Sequence, residues 1–322
     1  MKPSLFTFIF VLFPAATAFQ YNPYCWMAEC CRDVRPNMTL FQHEMKRTVF
    51  GQHIATKNLI PILEAHLEKE HPSKPLVLLM NGGTGIGKNH VARQMAKSIY
   101  AYGMDSSFVT RIDVTEKFDD YTDIQRYKAV LKDHIKAVVG RCGRSLVIID
   151  EVHKMPPTLL DTILPYLKNH ESVDGIDFRQ SIFLLLSNAA SDAIRQQVIA
   201  HRNNSRPRTT LRKSNFEQII ATASYNHKGG LSHSELIQRG FVEHFIPFLP
   251  LEKEHIRDCI HFHLELLLPS SSENKALVDR ILDQIQFRDN YAVAGCRPVE
   301  NIANDELKRW RKEQGKGNKK EL

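Results

Sequence analysis

A short apolar run followed by a glycine-rich segment constrains this 322-residue chain more than any other feature. Residues 76–80 are all apolar, as in a strand buried inside a parallel sheet. Apolar residues then recur at helical spacing over residues 91–99. The residues between these two segments include Gly82, Gly83, Thr84, Gly85, Ile86, Gly87, Lys88 and Asn89. A strand, a glycine loop and a helix in this order predict a phosphate-binding loop of the Walker A type.

The residue types in this loop suit the binding of ATP. Glycines lack a Cβ, so backbone N–H groups can converge on phosphate oxygens, and the helix N-terminus adds its positive dipole end. Lys88 is placed to reach the β- and γ-phosphates. Asn89 stands where serine or threonine usually contacts Mg²⁺, and its amide oxygen can still face a hydrated Mg²⁺. The alternative interpretation is a glycine-rich turn that binds no ligand.

Two further strand ends carry polar residues that suit ATP hydrolysis. Residues 146–149 form an apolar run that ends in Asp150 and Glu151, the pattern of a Walker B strand. We expect Asp150 to hold the Mg²⁺ shell and Glu151 to act as general base toward the attacking water. Residues 182–186 form another apolar run, and Asn188 follows it closely. Asn188 can position the same water, or it can cap the next helix as an Asx turn.

The alternation of strands and helices predicts an α/β fold. We expect five strands in a parallel sheet with helices on both faces, at residues 76–80, 108–114, 146–149, 182–186 and 245–249. Residues 203–214 are polar and basic and contain Pro207, which predicts an exposed loop.

Composition divides the chain into five segments. We expect a signal peptide, a cysteine-containing leader, the large α/β domain, a small helical domain and a basic tail, at residues 1–18, 19–39, 40–250, 251–312 and 313–322. A helix break inside the small domain is expected at serines 270–272.

The positive charge of the chain is concentrated at its C-terminus. The formal net charge is +7, and residues 308–322 carry seven basic and two acidic side chains. The rest of the chain is therefore almost neutral, which argues against a groove for nucleic acid. We interpret the basic tail as a solvated helix end.

Both ends of the chain indicate a secretory route. Lys2, a mostly apolar stretch over residues 5–13 and Ala16-Thr17-Ala18 form the pattern of a signal peptide. The stretch is shorter than the roughly 20 residues that cross a bilayer, and the alternative is an uncleaved segment in peripheral contact with one leaflet. Asn37 and Asn203 begin glycosylation triplets, and the final Lys-Lys-Glu-Leu is similar to a KDEL retention signal. We expect residence in the endoplasmic reticulum lumen.

Six cysteines in an oxidising lumen permit disulfides. Cys25, Cys30 and Cys31 cluster near the N-terminus, and the other three cysteines are scattered. Full pairing allows 15 connectivities, and the residues alone do not select one. The absence of a C-x-x-C pair with a matching histidine set argues against a zinc site.

Taken together, these motifs resemble the torsins, the endoplasmic-reticulum branch of the AAA+ ATPases related to the Clp/HSP100 group. The similarity covers most of the chain and includes the Asn89 variant of the phosphate loop. The segments that carry it are residues 29–31, 50–53, 82–89, 147–156, 172–178, 182–190, 245–252 and 295–297. The resemblance implies an AAA+ domain in which Asn188 is the sensor 1 residue, followed by a small helical domain.

The same resemblance implies roles for residues near the C-terminus. Gly295-Cys296-Arg297 is similar to the torsin Gly-Cys-Lys motif, whose basic residue is expected to touch the γ-phosphate as sensor 2. Arginine keeps the charge but replaces a compact ammonium by a planar guanidinium. The resemblance also implies that Cys259 can pair with Cys296 and make nucleotide binding redox-sensitive, with two buried thiols as the alternative. We interpret Cys142 as a packing residue.

Torsins lack an arginine finger and receive it from a membrane-anchored luminal activator with a degenerate AAA+ fold. The resemblance therefore implies that activator, a homo-oligomer, or both as partners. Arg239 lies near the finger position, but ungapped counting places Phe241 there, so we interpret Arg239 as a surface cation. Residues 118–123 contain aromatics but no glycine, unlike the pore loops of Clp proteins, and do not predict substrate threading.

The leading hypothesis is a torsin-like ATPase of the endoplasmic reticulum lumen or nuclear envelope that remodels protein clients or membranes. A second hypothesis is an ATP-gated oligomeric scaffold with little hydrolysis, against which the intact Glu151 argues. A third is a P-loop kinase, which the Asp150-Glu151 pair and the helical C-terminal segment disfavour.

Overall fold

A five-stranded sheet forms the centre of the part of the chain before residue 250. The computed structural model describes residue 25 and residues 29–117, 123–268 and 274–317. The strand order is β2-β3-β4-β1-β5, and every pair is parallel. The strands are β1 (Leu76–Asn81), β2 (Val109–Asp113), β3 (Leu146–Asp150), β4 (Ile182–Ser187) and β5 (His244–Pro247). All five predicted strands are therefore present.

Alternate side chains of the sheet enter two hydrophobic cores. Leu78 and Met80 of β1 pack into the core that contains α3, while Val77 and Leu79 pack into the core on the opposite face. Successive side chains of a strand point to opposite faces, so a strand covered on both sides must be apolar throughout. This arrangement confirms the α/β fold with helices on both faces of the sheet.

The helices before residue 250 connect and flank these strands. They are α1 (Met38–Thr48), α2 (His53–Leu67), α3 (Lys88–Ile99), α4 (Val114–Lys117), α5 (Ile124–Arg141), α6 (Ser191–Asn203), α7 (Glu217–Asn226) and α8 (Glu235–Gln238). Asn37 caps α1, because its Oδ1 accepts a hydrogen bond from the backbone N–H of Leu40 at 2.8 Å. The last two residues assigned to the leader, 38 and 39, are thus helical.

The C-terminal part is mainly helical, as predicted, and contains a small hairpin. Its elements are α9 (Lys253–Leu267), α10 (Lys275–Asp283), β6 (Phe287–Arg288), β7 (Tyr291–Ala292) and α11 (Val299–Gly317). The hairpin was not predicted from the sequence. Its turn residues Asp289 and Asn290 have φ of 53° and 73°, as tight hairpin turns require.

Three disulfides join the six cysteines, in the pairs Cys25–Cys30, Cys31–Cys142 and Cys259–Cys296. The interpretation of Cys142 as a packing residue alone is wrong. Cys142 is buried at the end of α5, but its sulfur is bonded to Cys31, with the two Cα atoms 5.1 Å apart. The covalent partner lies 111 residues away in the sequence, so no local pattern indicated it.

The expectation that residues 203–214 form an exposed loop is only partly correct. Most of these residues are exposed, but Leu211 and most of the Arg208 side chain are buried. Arg208 donates hydrogen bonds to Glu252 Oε1 at 3.3 Å and to the Gly51 carbonyl at 2.9 Å. These long-range contacts pair Nη1 and Nη2 of the guanidinium, while its buried Nε has no hydrogen-bond partner within the described parts of the chain.

Several sequence predictions concern residues outside the described parts of the chain. They are the signal peptide at residues 1–18, residues 118–122 of the loop compared with Clp pore loops, the serines at 270–272 and the terminal Lys-Lys-Glu-Leu. Among the residues that are described, no helix has the length and apolar character needed to cross a membrane.

Candidate active site

The phosphate-binding loop connects the end of β1 to the start of α3. Gly82 and Gly85 have φ of 157° and 72°, which only glycine adopts readily. A Cβ on Gly82 would lie 2.4 Å from the Phe248 carbonyl oxygen, so the loop also needs glycine for close packing. Gln52 supports the loop from the side, donating to the Ile86 carbonyl at 3.1 Å. The loop is therefore shaped by contacts with neighbouring segments.

Lys88 begins α3 and turns its ammonium group back into the loop. Its Nζ donates to the carbonyls of Gly82 and Gly83 at 2.7 Å each and to Asn188 Oδ1 at 2.5 Å. Burial lowers the pKa of Lys88 to about 8, although Glu151 and Asp150 act in the opposite direction. These carbonyl and amide contacts place the ammonium group where phosphate oxygens could replace them as partners.

Asp150 lies at the end of β3 and contacts two donors. Its Oδ2 accepts hydrogen bonds from Asn89 Nδ2 and Arg111 Nη2, both at 2.7 Å. Its Oδ1 is buried and has no hydrogen-bond partner within the described parts of the chain. A buried carboxylate oxygen without a partner is costly, and a cation relieves that cost. The residues present therefore fit Mg²⁺ at Asp150, with Asn89 beside it.

Glu151 follows Asp150 in a left-handed conformation, with φ of 59°. Its Oε2 lies 2.8 Å from Lys154 Nζ and 3.6 Å from His153 Nε2. Its Oε1 accepts a long hydrogen bond of 3.4 Å from Asn188 Nδ2. The Asn188 amide thus contacts both Lys88 and Glu151, so the predicted lysine, acid pair and sensor lie together at the carboxyl ends of β1, β3 and β4.

The residues proposed for sensor 2 lie against the phosphate-binding loop. The backbone N–H of Cys296 donates to the Gly85 carbonyl at 2.9 Å. A Cβ on Gly85 would lie 2.0 Å from the Ala294 carbonyl oxygen and 3.0 Å from the Cβ of Arg297. Arg297 is exposed beside Gly85, and Cys296 is bonded to Cys259 of α9. The structure therefore connects the loop to the helical C-terminal part through residues 294–297.

The remaining candidate residues lie on the surface. Asn37 and Asn203, the glycosylation candidates, are both exposed. Arg239 is exposed and forms an ion pair of 3.0 Å with Glu235, one helical turn earlier. Phe241 is half-buried against the core on the α5 side of the sheet.

Sequence reasoning missed Arg111, His153 and Lys154 at this site. Arg111 lies in the middle of β2 between Thr110 and Ile112. A charged residue at the centre of a predicted strand is a signal that could have indicated a role for it. His153 and Lys154 lie within the torsin-like segment 147–156, but the sequence predicted no role for them. Their spacing of two and three residues from Glu151 could have indicated contact within a tight turn.

Comparisons with known proteins agree with this geometry. A family model described as Torsin matches residues 25–149. A "Torsin-like protein" of Caenorhabditis elegans is 35% identical over 294 residues, covering 89% of this chain and 83% of that protein. A "Torsin-like protein" of Drosophila melanogaster is 33% identical over 293 residues, covering 88% and 86%.

A solved structure with a similar fold is the S. cerevisiae Hsp104–ADP complex, an AAA+ protein. The TM-score is 0.59 at 18% sequence identity, and the match covers 87% of this chain and 48% of that one. This likeness supports the relation to the Clp/HSP100 group at the level of the fold. The chain belongs to the torsin family and has the AAA+ fold.

Proposed function

We propose that this chain binds ATP with Mg²⁺ and hydrolyses it, with Glu151 as general base. The observation that carries the proposal is the convergence of Lys88, Asp150, Glu151 and Asn188 at one edge of the sheet. The similar Hsp104 structure is a complex with ADP, which is consistent with nucleotide binding by this fold. A phosphate loop alone would support binding only, whereas the neighbouring carboxylate supplies the base that hydrolysis requires.

Each residue has a defined part in this proposal. Lys88 exchanges its carbonyl partners for phosphate oxygens, and residues 82–89 donate backbone N–H groups to the phosphates. Asp150 and Asn89 hold Mg²⁺, which when bound neutralises charge on the β- and γ-phosphates. Glu151 accepts a proton from the attacking water, and Asn188 orients that water. Arg297 contacts the γ-phosphate and relates nucleotide state to the position of the small domain.

For Glu151 to act as a base, its carboxylate must be released from the ammonium group of Lys154. The 2.8 Å ion pair occupies Oε2 of Glu151, so this oxygen is not available to the attacking water while the pair persists. Lys154 is half-exposed, so an exposed surface of a partner can reach it. We propose that a membrane-anchored luminal activator, or a second copy of the chain, completes the site and supplies the missing arginine finger.

The disulfide between Cys259 and Cys296 supports a redox influence on nucleotide binding. Cys296 donates its backbone N–H to the Gly85 carbonyl, so one residue of the disulfide contacts the phosphate loop directly. We propose that reduction of this bond loosens residues 294–297 and changes nucleotide affinity. We also propose that the chain works in the endoplasmic reticulum lumen or nuclear envelope, in chaperone-like remodelling of proteins or membranes.

A second candidate function is an ATP-gated oligomeric scaffold with little hydrolysis. The observation that favours it is the Glu151–Lys154 ion pair, which keeps the carboxylate from contacting the attacking water. Under this alternative, ATP binding changes the assembly state and the carboxylate remains paired.

The test is ATP turnover by the purified chain, with and without the luminal domain of an activator, in wild type and in Glu151→Gln. We expect negligible turnover alone and a sharp rise with activator. The Gln variant should lose about 10²-fold or more of that turnover, since it lacks the general base, while ATP affinity changes little.

Two other outcomes would decide against this account. Strong turnover without a partner would mean that the chain supplies its own arginine finger, with Arg239 the first residue to test. ATP binding without turnover under either condition would refute the ATPase and favour the scaffold.

A further inference from the structure

His153 lies in a short 3-10 helix (Val152–Lys154) directly after Glu151, with its side chain largely buried. Its Nδ1 accepts a hydrogen bond from the backbone N–H of Asn188 at 3.2 Å. A ring nitrogen that accepts a hydrogen bond carries no proton, so the neutral ring has its proton on Nε2. That Nε2 faces Glu151 Oε2 at 3.6 Å. One imidazole therefore stands between the sensor and the carboxylate.

The surroundings keep this ring neutral. Burial is the main factor that lowers the pKa of His153, and His227, Lys154 and Lys88 act in the same direction against Glu151. A neutral ring offers one donor and one acceptor, and the acceptor is used by Asn188. The remaining N–H can hold a carboxylate oxygen without contributing a positive charge, which Lys154 cannot do.

Residues 227–230 hold the His153 backbone and ring in place. The ring of His227 packs edge-on against that of His153, with centroids 5.6 Å apart. Gly229 approaches so closely that a Cβ there would lie 1.9 Å from the His153 carbonyl oxygen. A Cβ on Gly230 would lie 2.5 Å from the Val152 carbonyl oxygen and from the Cβ of Met155. The ring position is therefore determined by contacts on several sides.

We propose that His153 is a positioning residue that orients Glu151 and Asn188 together for hydrolysis. This inference rests on the proposed function of Glu151 as general base. When Lys154 releases the carboxylate, the Nε2–H of His153 closes the 3.6 Å gap and holds Oε2. Oε1, which already contacts the sensor amide, is then the oxygen directed at water.

The test compares three variants of His153 that distinguish the role of Nδ1 from that of Nε2. In His153→Asn the amide can replace the Nδ1 acceptor, and in His153→Gln the longer amide can replace the Nε2 donor. His153→Phe keeps only the volume of the ring. The measurements are activator-stimulated kcat and KM, the Kd of a fluorescent ATP analogue and the melting temperature. His43→Phe on the exposed face of α1 is the control for the substitution itself.

We expect His153→Phe to lower kcat on the order of 10- to 100-fold, because small displacements of a base cost that much. His153→Gln should recover part of this loss, and His153→Asn should recover less. The Kd of the analogue should stay within about twofold in all three, since His153 accepts its hydrogen bond from Asn188 and not from the phosphate loop. Equal kcat in wild type and all variants would overturn the proposal. Parallel loss of kcat, affinity and melting temperature would reduce His153 to a packing residue.

A second measurement remains informative if wild type hydrolyses no ATP. In ¹⁵N-histidine-labelled protein at pH 7, His153 should show the Nε2-protonated neutral tautomer, and Glu151→Ala should shift its Nε2 resonance. Absence of turnover in wild type would refute the proposed ATPase. A charged or Nδ1-protonated His153, or a resonance indifferent to Glu151, would refute the contact on which the positioning role depends.

Discussion

Gly85 and Gly295 face each other where the phosphate loop meets the helical C-terminal part of the chain. Both have positive φ, of 72° and 56°. A Cβ on Gly295 would lie 2.3 Å from the Gly85 carbonyl oxygen. A Cβ on Gly85 would lie 2.0 Å from the Ala294 carbonyl oxygen. The two backbones are thus in direct contact, and a side chain on either glycine would separate them.

We expect Gly85→Ala to lower the free energy of unfolding by roughly 1–3 kcal/mol, because it combines an unfavourable φ with a backbone collision. The measurement is thermal or urea unfolding without nucleotide. Gly83→Ala is the matched control, since Gly83 has a common backbone conformation and the nearest atom to its Cβ would be 4.0 Å away. Equal destabilisation by the two substitutions would contradict this account of the contact.

The sequence located most of the site because its chemistry lies at strand ends. Lys88, Asp150, Glu151 and Asn188 follow three apolar runs, and parallel strands bring their carboxyl ends to one edge of a sheet. Arg111 and His153 could not be assigned in this way. Their contacts depend on the side-by-side placement of β2 and β3 and on residues 227–230, which no local pattern encodes.

At the scale of elements, Arg208 connects a surface segment to the starts of α2 and α9. Its guanidinium contacts Gly51, just before α2, and Glu252, just before α9. Burial lowers the pKa of Arg208, while Glu252 opposes that effect. The ion pair therefore compensates for the cost of burying the charge rather than adding stability outright.

We expect Arg208→Met to lower the free energy of unfolding by roughly 1–3 kcal/mol, because the Gly51 carbonyl and Glu252 lose their shared donor. The melting temperature of the nucleotide-free protein measures this effect. Arg212→Met is the control, because Arg212 lies in the same segment and is exposed. If the two variants have the same melting temperature, the buried contacts of Arg208 contribute nothing to stability.

The sequence predicts the elements whose residues are all buried. It does not predict features whose burial depends on residues far away in the sequence. The buried strands β1, β3 and β4 are apolar runs whose pattern can be read locally. The two-residue strands β6 and β7 are too short to show a repeating pattern of apolar residues. The polar and basic composition of residues 203–214 predicts exposure. The burial of Arg208 within this segment could not be predicted, because it depends on contact with Glu252, 44 positions away in the sequence.

At the scale of the whole molecule, burial is the main factor that lowers the pKa of a group of histidines in the described parts of the chain. They are His53, His66, His90, His153, His244, His255 and His263. For His255 the pKa falls to about 4. An unfolded chain protonates histidine near pH 6.5, so between that pH and the folded pKa the unfolded state binds more protons.

Stability should therefore fall as the pH is lowered below about 6.5. Each strongly shifted histidine contributes at most about 1.4 kcal/mol per pH unit, and less where solvent reaches the ring. We expect the nucleotide-free protein to melt several degrees lower at pH 5.5 than at pH 7.5. A melting temperature that is unchanged or higher at pH 5.5 would contradict the assignment of neutral, buried histidines.

The Cys31–Cys142 disulfide alters how the chain would bear a mechanical load. Cys142 lies four residues before β3, the strand that ends in Asp150 and carries Glu151 immediately after it. Tension applied to the residues before Cys31 would pass through the sulfur atoms to the base of this strand. It would bypass α1, β1 and α3, which lie between the two cysteines in the sequence. When the N-terminus is pulled, β3 should therefore be the first element to respond while the disulfide is intact, and α1 should be the first after reduction.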